Sequence, residues 1–204
     1  MQLFWSSRSP FVRKVMVAAH EMGLAARIRT ERVVVSAAVP NAQVMAANPL
    51  NKIPTLILDD GTALYDSRVI CEYLDTLHGG RKLFPAEPAA RWVALRRQAL
   101  GDGLMEVIVL RLGEQNRAAG MQSEKHMSTF KLKIATVLDR LEGEAEDLAG
   151  PNTIDHVAIA CALGHLDFRF AADEWRTGRP KLARWYDEFA RRPSMQKTEY
   201  VDAY

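Results

Sequence analysis

Pro54 stands directly ahead of the apolar run Thr55-Leu56-Ile57-Leu58, where a proline can open a strand but not continue one. It has no N–H to donate, so the ladder is expected to start after it and to leave the backbone of Ile53 open to an extended ligand. A cis bond at Ile53–Pro54 would sharpen that presentation. Asp59-Asp60-Gly61 then reads as a hairpin turn between Thr55–Leu58 and Thr62–Tyr65. Asp66 and Ser67 follow at the start of a helix, where unpaired N–H groups and the positive end of the dipole favour a carboxylate. A ligand carrying both a free carboxylate and a free ammonium would suit this acidic and hydroxyl pair.

The segments around this hairpin extend the pattern. Gln2–Trp5 reads as a strand, and Ser9-Pro10 opens a helix in which Val12, Val15, Met16, Ala19 and Met22 recur at helical spacing until Gly23 stops it. Residues 27–35 alternate and are rich in Val, which predicts a second strand, and residues 36–47 read as irregular with one helical turn. A helix over Ser67–Leu77 presents Val69, Ile70, Tyr73, Leu74 and Leu77. The order βαβ then ββα sets a parallel crossover beside an antiparallel hairpin, predicting an α/β domain with a mixed four-stranded, thioredoxin-like sheet over residues 1–78. Residues 79–88, rich in Gly and Pro, read as a linker. Residues 89–204 hold no good strand, and helical patterns at about 89–116, 123–148, 153–170 and 181–192 predict an all-α domain.

Composition removes several classes. The 204 residues, 48% of them hydrophobic, are enough to bury a sizeable core without staples. The two cysteines, Cys71 and Cys161, fall in separate apolar helical patterns, which argues for neither a disulfide framework nor a metal site. The net charge of +2 is spread evenly over the two parts and leaves no electrostatic footprint for nucleic acid or membrane. With no secretory leader pattern and no run of 18 apolar residues, a cytoplasmic protein is expected.

Asn48-Pro49 with Lys52-Ile53-Pro54, followed by Asp66-Ser67-Arg-Val-Ile-Cys-Glu-Tyr-Leu74, resembles the glutathione site of the cytosolic glutathione transferases, and Ser9-Pro10-Phe11 resembles their catalytic turn. The likeness is to serine-type members, including bacterial and tau- or omega-like ones. It continues through Thr153–Leu163, which is similar to the family's core helix, and so spans nearly the whole chain. It implies that glutathione is a co-substrate, that no metal is needed, and that the chain forms a homodimer.

The resemblance assigns Ser9 the task of stabilising the glutathione thiolate by a hydrogen bond, with Ser6 and Ser7 as neighbouring competitors. It has Lys52 facing a terminal carboxylate, Ile53 pairing its backbone with the cysteinyl unit beside Pro54, Asp66 meeting the γ-glutamyl ammonium and Ser67 its carboxylate. A small, largely apolar electrophile is expected in the cleft between domains, against Trp5, Phe11 and the helix around Met105, with Arg111 as an anchor for an acidic acceptor. Gly101 and Gly103 disfavour a helix interior and are expected to admit another backbone or a ligand. Rival readings on the same scaffold are a glutathione-dependent thiol-disulfide oxidoreductase, which needs a reactive cysteine where Ser9 stands, and a non-catalytic binding or regulatory protein. In one place the chain departs from the family pattern. His156 occupies the position three after Thr153 where an acid usually closes a capping box, so an acid there is expected to add about 0.5–1 kcal/mol.

Overall fold

The computed structural model describes residues 1–202, and its contacts divide the chain into two units: residues from Met1 to Arg91 together with those from Pro193 onward, and Trp92–Arg192. The sequence reading assigns residues 89–204 to the helical domain. The residues from Pro193 instead join the first unit, because the short helix α8 (Pro193–Gln196) packs on helix α1 (Pro10–Glu21).

In the first unit, β1 (Gln2–Trp5), β2 (Arg29–Arg32), β3 (Thr55–Ile57) and β4 (Ala63–Leu64) form one sheet in the order β2-β1-β3-β4. β1 runs parallel to β2 and antiparallel to β3, and β4 is antiparallel to β3, as the βαβ-ββα order predicts. β2 is shorter than the Val-rich run suggested. Its register is limited by the four residues of β1, from Gln2 opposite Arg29 to Trp5 opposite Arg32, with Val33 N–H reaching back to the Trp5 carbonyl.

The pleat sends alternate residues of β1 to opposite faces. Phe4 clusters with Val33 and with Val44 of α2 (Ala42–Ala47), while Leu3 and its partner Leu56 are fully buried on the other side. Helix α3 (Ser67–Thr76) packs on both α1 and β3 and contributes Ile70, Cys71 and Leu74 to the core.

The second unit contains most of α4 (Pro88–Gln115), then α5 (Glu124–Gly143), α6 (Ile154–Phe170) and α7 (Pro180–Ala190). α6 is apolar nearly all round and is correspondingly the central buried helix. α4 lies against it at Gly101, where a Cβ would come within 2.9 Å of the Ala158 and Ile159 backbone, whereas Gly103 faces open space. Of the two glycines, only Gly101 admits a neighbouring backbone.

The helix expected to run to residue 148 ends at Gly143 and gives way to a 3-10 turn, Ala145–Leu148. Glu144 fixes that change of path. Arg96 (2.8 Å), Arg97 (2.9 Å) and Arg140 (2.5 Å) converge on its carboxylate, the bond from Arg96 acting most strongly, and hold its pKa down to about 2.

His156 overturns the expectation of a weakened cap. Its Nδ1 accepts from the Thr153 main-chain N–H (3.2 Å), closing the box itself, and its Nε2 donates to the Leu148 carbonyl (3.1 Å). The ring is buried against Trp185. An acid could close the box but could not reach Leu148 as a donor, so the histidine ties α6 to the preceding turn in a way an acid cannot.

Candidate functional site

The sheet register gathers the expected ligand-binding residues at one end of the first unit. Phe4, near the close of β1, lies opposite Thr55, which opens β3, and β4 returns antiparallel to finish next to that same end. The turn Ser6–Ser9 after β1, the Ile53–Pro54 bond before β3 and the Asp66–Ser67 pair after β4 therefore emerge together. Ile53–Pro54 and Tyr65–Asp66 are both cis, and the ladder starts at Thr55, outside which Ile53 remains.

Ser9 caps α1, its Oγ accepting from Val12 N–H at 3.3 Å, with Pro10 in the first turn where its missing N–H costs nothing. That bond occupies a lone pair, and among the described residues the hydroxyl proton has no acceptor. Ser7 differs, because its hydroxyl donates to the Val201 carbonyl at 2.8 Å. Ser6 Oγ accepts from Arg8 N–H at 3.3 Å. Of the three serines, Ser7 has already committed its proton.

Asp66 caps α3 by accepting from Arg68 N–H (2.9 Å) and remains exposed, while Ser67 is buried at the first helical position. Lys52 is exposed, with its main-chain carbonyl held by the Thr55 hydroxyl (2.9 Å) and by Asn48 Nδ2 (3.2 Å).

Asn48 belongs to the motif that resembles the glutathione site, yet the sequence assigns it no role of its own. Almost fully buried, it also bonds Thr55 Oγ1 (3.0 Å) and accepts from Leu50 N–H (3.1 Å), so it braces the loop that delivers Ile53 and Pro54. Asn51 takes the left-handed conformation at φ 53° and ties Ser36, Val39 and Asn41 to the same loop. An asparagine before a proline and a second three residues later are the available sequence signals, since Asn tolerates αL and bonds backbone groups.

The expected electrophile contacts divide. Trp5 and Phe11 flank the Ser9 turn and are part-exposed. Met105 and Arg111 require correction. Met105 is completely buried in α4, and Arg111 is buried beneath Phe170 (3.8 Å) and paired with Asp173 (3.0 Å), whose carboxyl it holds below the ordinary range mainly through that hydrogen bond. Both are core groups of the second unit. A cavity of about 790 Å³ there, lined by Leu148, His156, Trp185 and Phe189 among others, contains none of the expected site residues.

These features define a class. The chain matches the glutathione S-transferase N-terminal domain over residues 8–77 and the C-terminal domain over residues 124–188, and it belongs to the glutathione S-transferase family. Among its relatives is the uncharacterized GST-like protein YibF of Escherichia coli K12, 34% identical over 98% of both chains. A glutathione transferase family member from Pseudomonas fluorescens Pf-5, solved with bound glutathione, is 44% identical over 98% of both chains with a TM-score of 0.96. A glutathione S-transferase of Methylobacillus flagellatus KT, solved with GSH bound, is 36% identical over 98% of this chain and 99% of its own, with a TM-score of 0.88.

Proposed function

We propose that this protein is a glutathione transferase that conjugates the activated glutathione thiolate to small, largely apolar electrophiles. The observation carrying this reading is the register that brings Ser9, Ile53–Pro54 and Asp66–Ser67 to one end of the sheet. Asp66 meets the γ-glutamyl ammonium, Ser67 the γ-glutamyl carboxylate, the Ile53 main chain the cysteinyl unit, and Lys52 a terminal carboxylate. Ser9 then donates its uncommitted proton to the sulfur, and the N-terminus of α1 favours the same negative charge. A free thiol, with a pKa of about 8.5, is only slightly ionised at neutral pH, so a drop of about two units would convert most of it to the nucleophile.

Catalysis then consists of thiolate stabilisation and of holding two reactants together. Trp5 and Phe11 offer apolar contact to the electrophile. The oxidoreductase reading is disfavoured because Cys71 and Cys161 are both fully buried. The working form is a cytoplasmic homodimer, in keeping with the family resemblance, and a role in detoxification follows from the electrophilic substrate class.

Ser9→Ala tests the mechanism. Losing a hydrogen bond to an ionised sulfur is worth about 1.5–3 kcal/mol, so turnover should fall roughly 10- to 150-fold at neutral pH and partly recover in alkali, while glutathione affinity stays nearly intact. The readouts are the pH dependence of conjugation and the thiolate absorbance of bound glutathione. A fully active variant would remove Ser9 from the mechanism.

A further inference from the structure

The last described residues grip the catalytic turn from both sides. Val201 N–H donates to the Ser7 carbonyl (3.3 Å) while the Ser7 hydroxyl donates back to the Val201 carbonyl (2.8 Å), and Arg8 pairs with Asp202 at 2.7 Å. One helical turn past Ser9, the buried guanidinium of Arg13 donates to the Met195 carbonyl (3.2 Å) and lies over the Tyr200 ring at 4.3 Å. Ser194 adds a bond to Glu21 near the far end of α1 (2.5 Å).

We propose that residues 195–202 form a strap that positions the Ser9 hydroxyl, with Ser7 and Val201 as positioning residues. The strap fixes the chain two residues before Ser9 and four residues after it, and Ser9 N–H is itself tied to the Ser6 carbonyl (3.2 Å) within the tightened turn. A hydroxyl that must align with a sulfur tolerates an error of only about 0.5 Å, and the turn has no regular secondary structure of its own to supply that accuracy. Stability of the fold alone would not require both flanks of one residue to be held. The inference rests on the reading of Ser9 as the thiolate donor.

The test is Val201→Pro, which deletes the N–H given to Ser7 and alters no group assigned to glutathione. Ser7→Ala removes the reciprocal bond, and Ser7→Thr should restore it. Expected for Val201→Pro and Ser7→Ala is a fall in kcat of about 3- to 10-fold, a glutathione KM within about twofold of the parent, and a bound-thiol pKa raised by about half to one unit. Placed on Ser9→Ala, Val201→Pro should cause no further loss. Parental kcat and thiol pKa in both strap variants, or an equal loss on the Ser9→Ala background, would overturn the strap. A Ser9→Ala single variant with an unchanged thiol pKa would overturn the donor role of Ser9 first and the strap with it.

Discussion

The starts of α1 and α6 use the same local device to different ends. Each helix begins after a hydroxyl residue, Ser9 in one case and Thr153 in the other. At α6 the capping groups turn inward to partners within the protein: Thr153 N–H meets the His156 ring, the Thr153 hydroxyl reaches Asp155 at 2.5 Å, and the far side of the ring bonds Leu148. At α1 the cap bond leaves a part-exposed hydroxyl with its proton uncommitted, beside a backbone that lies outside the sheet ladder. A cap that saturates its polar groups builds structure, and one that leaves a donor over is equipped for a ligand.

The largest expected break in this comparison is His156→Ala. It leaves the buried Leu148 carbonyl and the Thr153 N–H without partners and opens space beside Trp185, for a loss of about 2–4 kcal/mol in denaturant melts. His156→Asp preserves one bond and should lose about 1–2 kcal/mol, because Leu148 has no donor and a second carboxylate stands near Asp155. Turnover per folded molecule should not change in either variant. A stabilised Asp variant would return His156 to the role of a poor cap.

A third helix start, that of α3, sharpens the contrast because Asp66 caps the helix and is assigned to the ligand as well. Asp66→Ala and Ser67→Ala should each weaken glutathione binding by about 1–3 kcal/mol in titration calorimetry. Unchanged affinity in both would place this start with α6, as structure alone.

The remaining effect is electrostatic and belongs to the turn that ends at Leu148. The Glu144 carboxyl is depressed in the folded protein to about 2 by its arginines, so its stabilisation is complete above the unfolded value and is lost as pH falls through the folded one. With allowance for the exposure of Arg96 and Arg140, stability should drop by about 1–2 kcal/mol between pH values of about 4.5 and 2. Melts across that range should show the drop in the parent and a flatter acid limb in Glu144→Gln.

Much of this was legible in the sequence because it is written in short-range chemistry. Pro54 marks the start of a strand, the Asp59-Asp60-Gly61 turn fixes the hairpin, and helical spacing exposes α1, α3 and α6. What escaped depends on partners far away along the chain. Arg111 reads as available in the sequence because its partner Asp173 stands far along the chain, and spacing alone does not tell Met105 from a pocket wall. The strap has no periodicity to betray it, since its contacts with Ser7, Arg8 and Arg13 are isolated polar and ring contacts across nearly the full length of the chain. His156 misleads for a related reason. The local rule counts only the bond within the box, and the second ring nitrogen answers to a residue outside it.

The two glycines of α4 have opposite mutational freedom. Gly103 faces open space in a helix interior, where alanine would be favoured by about 0.8–1 kcal/mol of intrinsic propensity, so it can drift or be improved without a structural consequence. Gly101 cannot, since any side chain would drive two backbones apart at the centre of the buried helix. Two identical letters two positions apart thus set the boundary between a site open to variation and one at which descendants of this sequence are held to hydrogen.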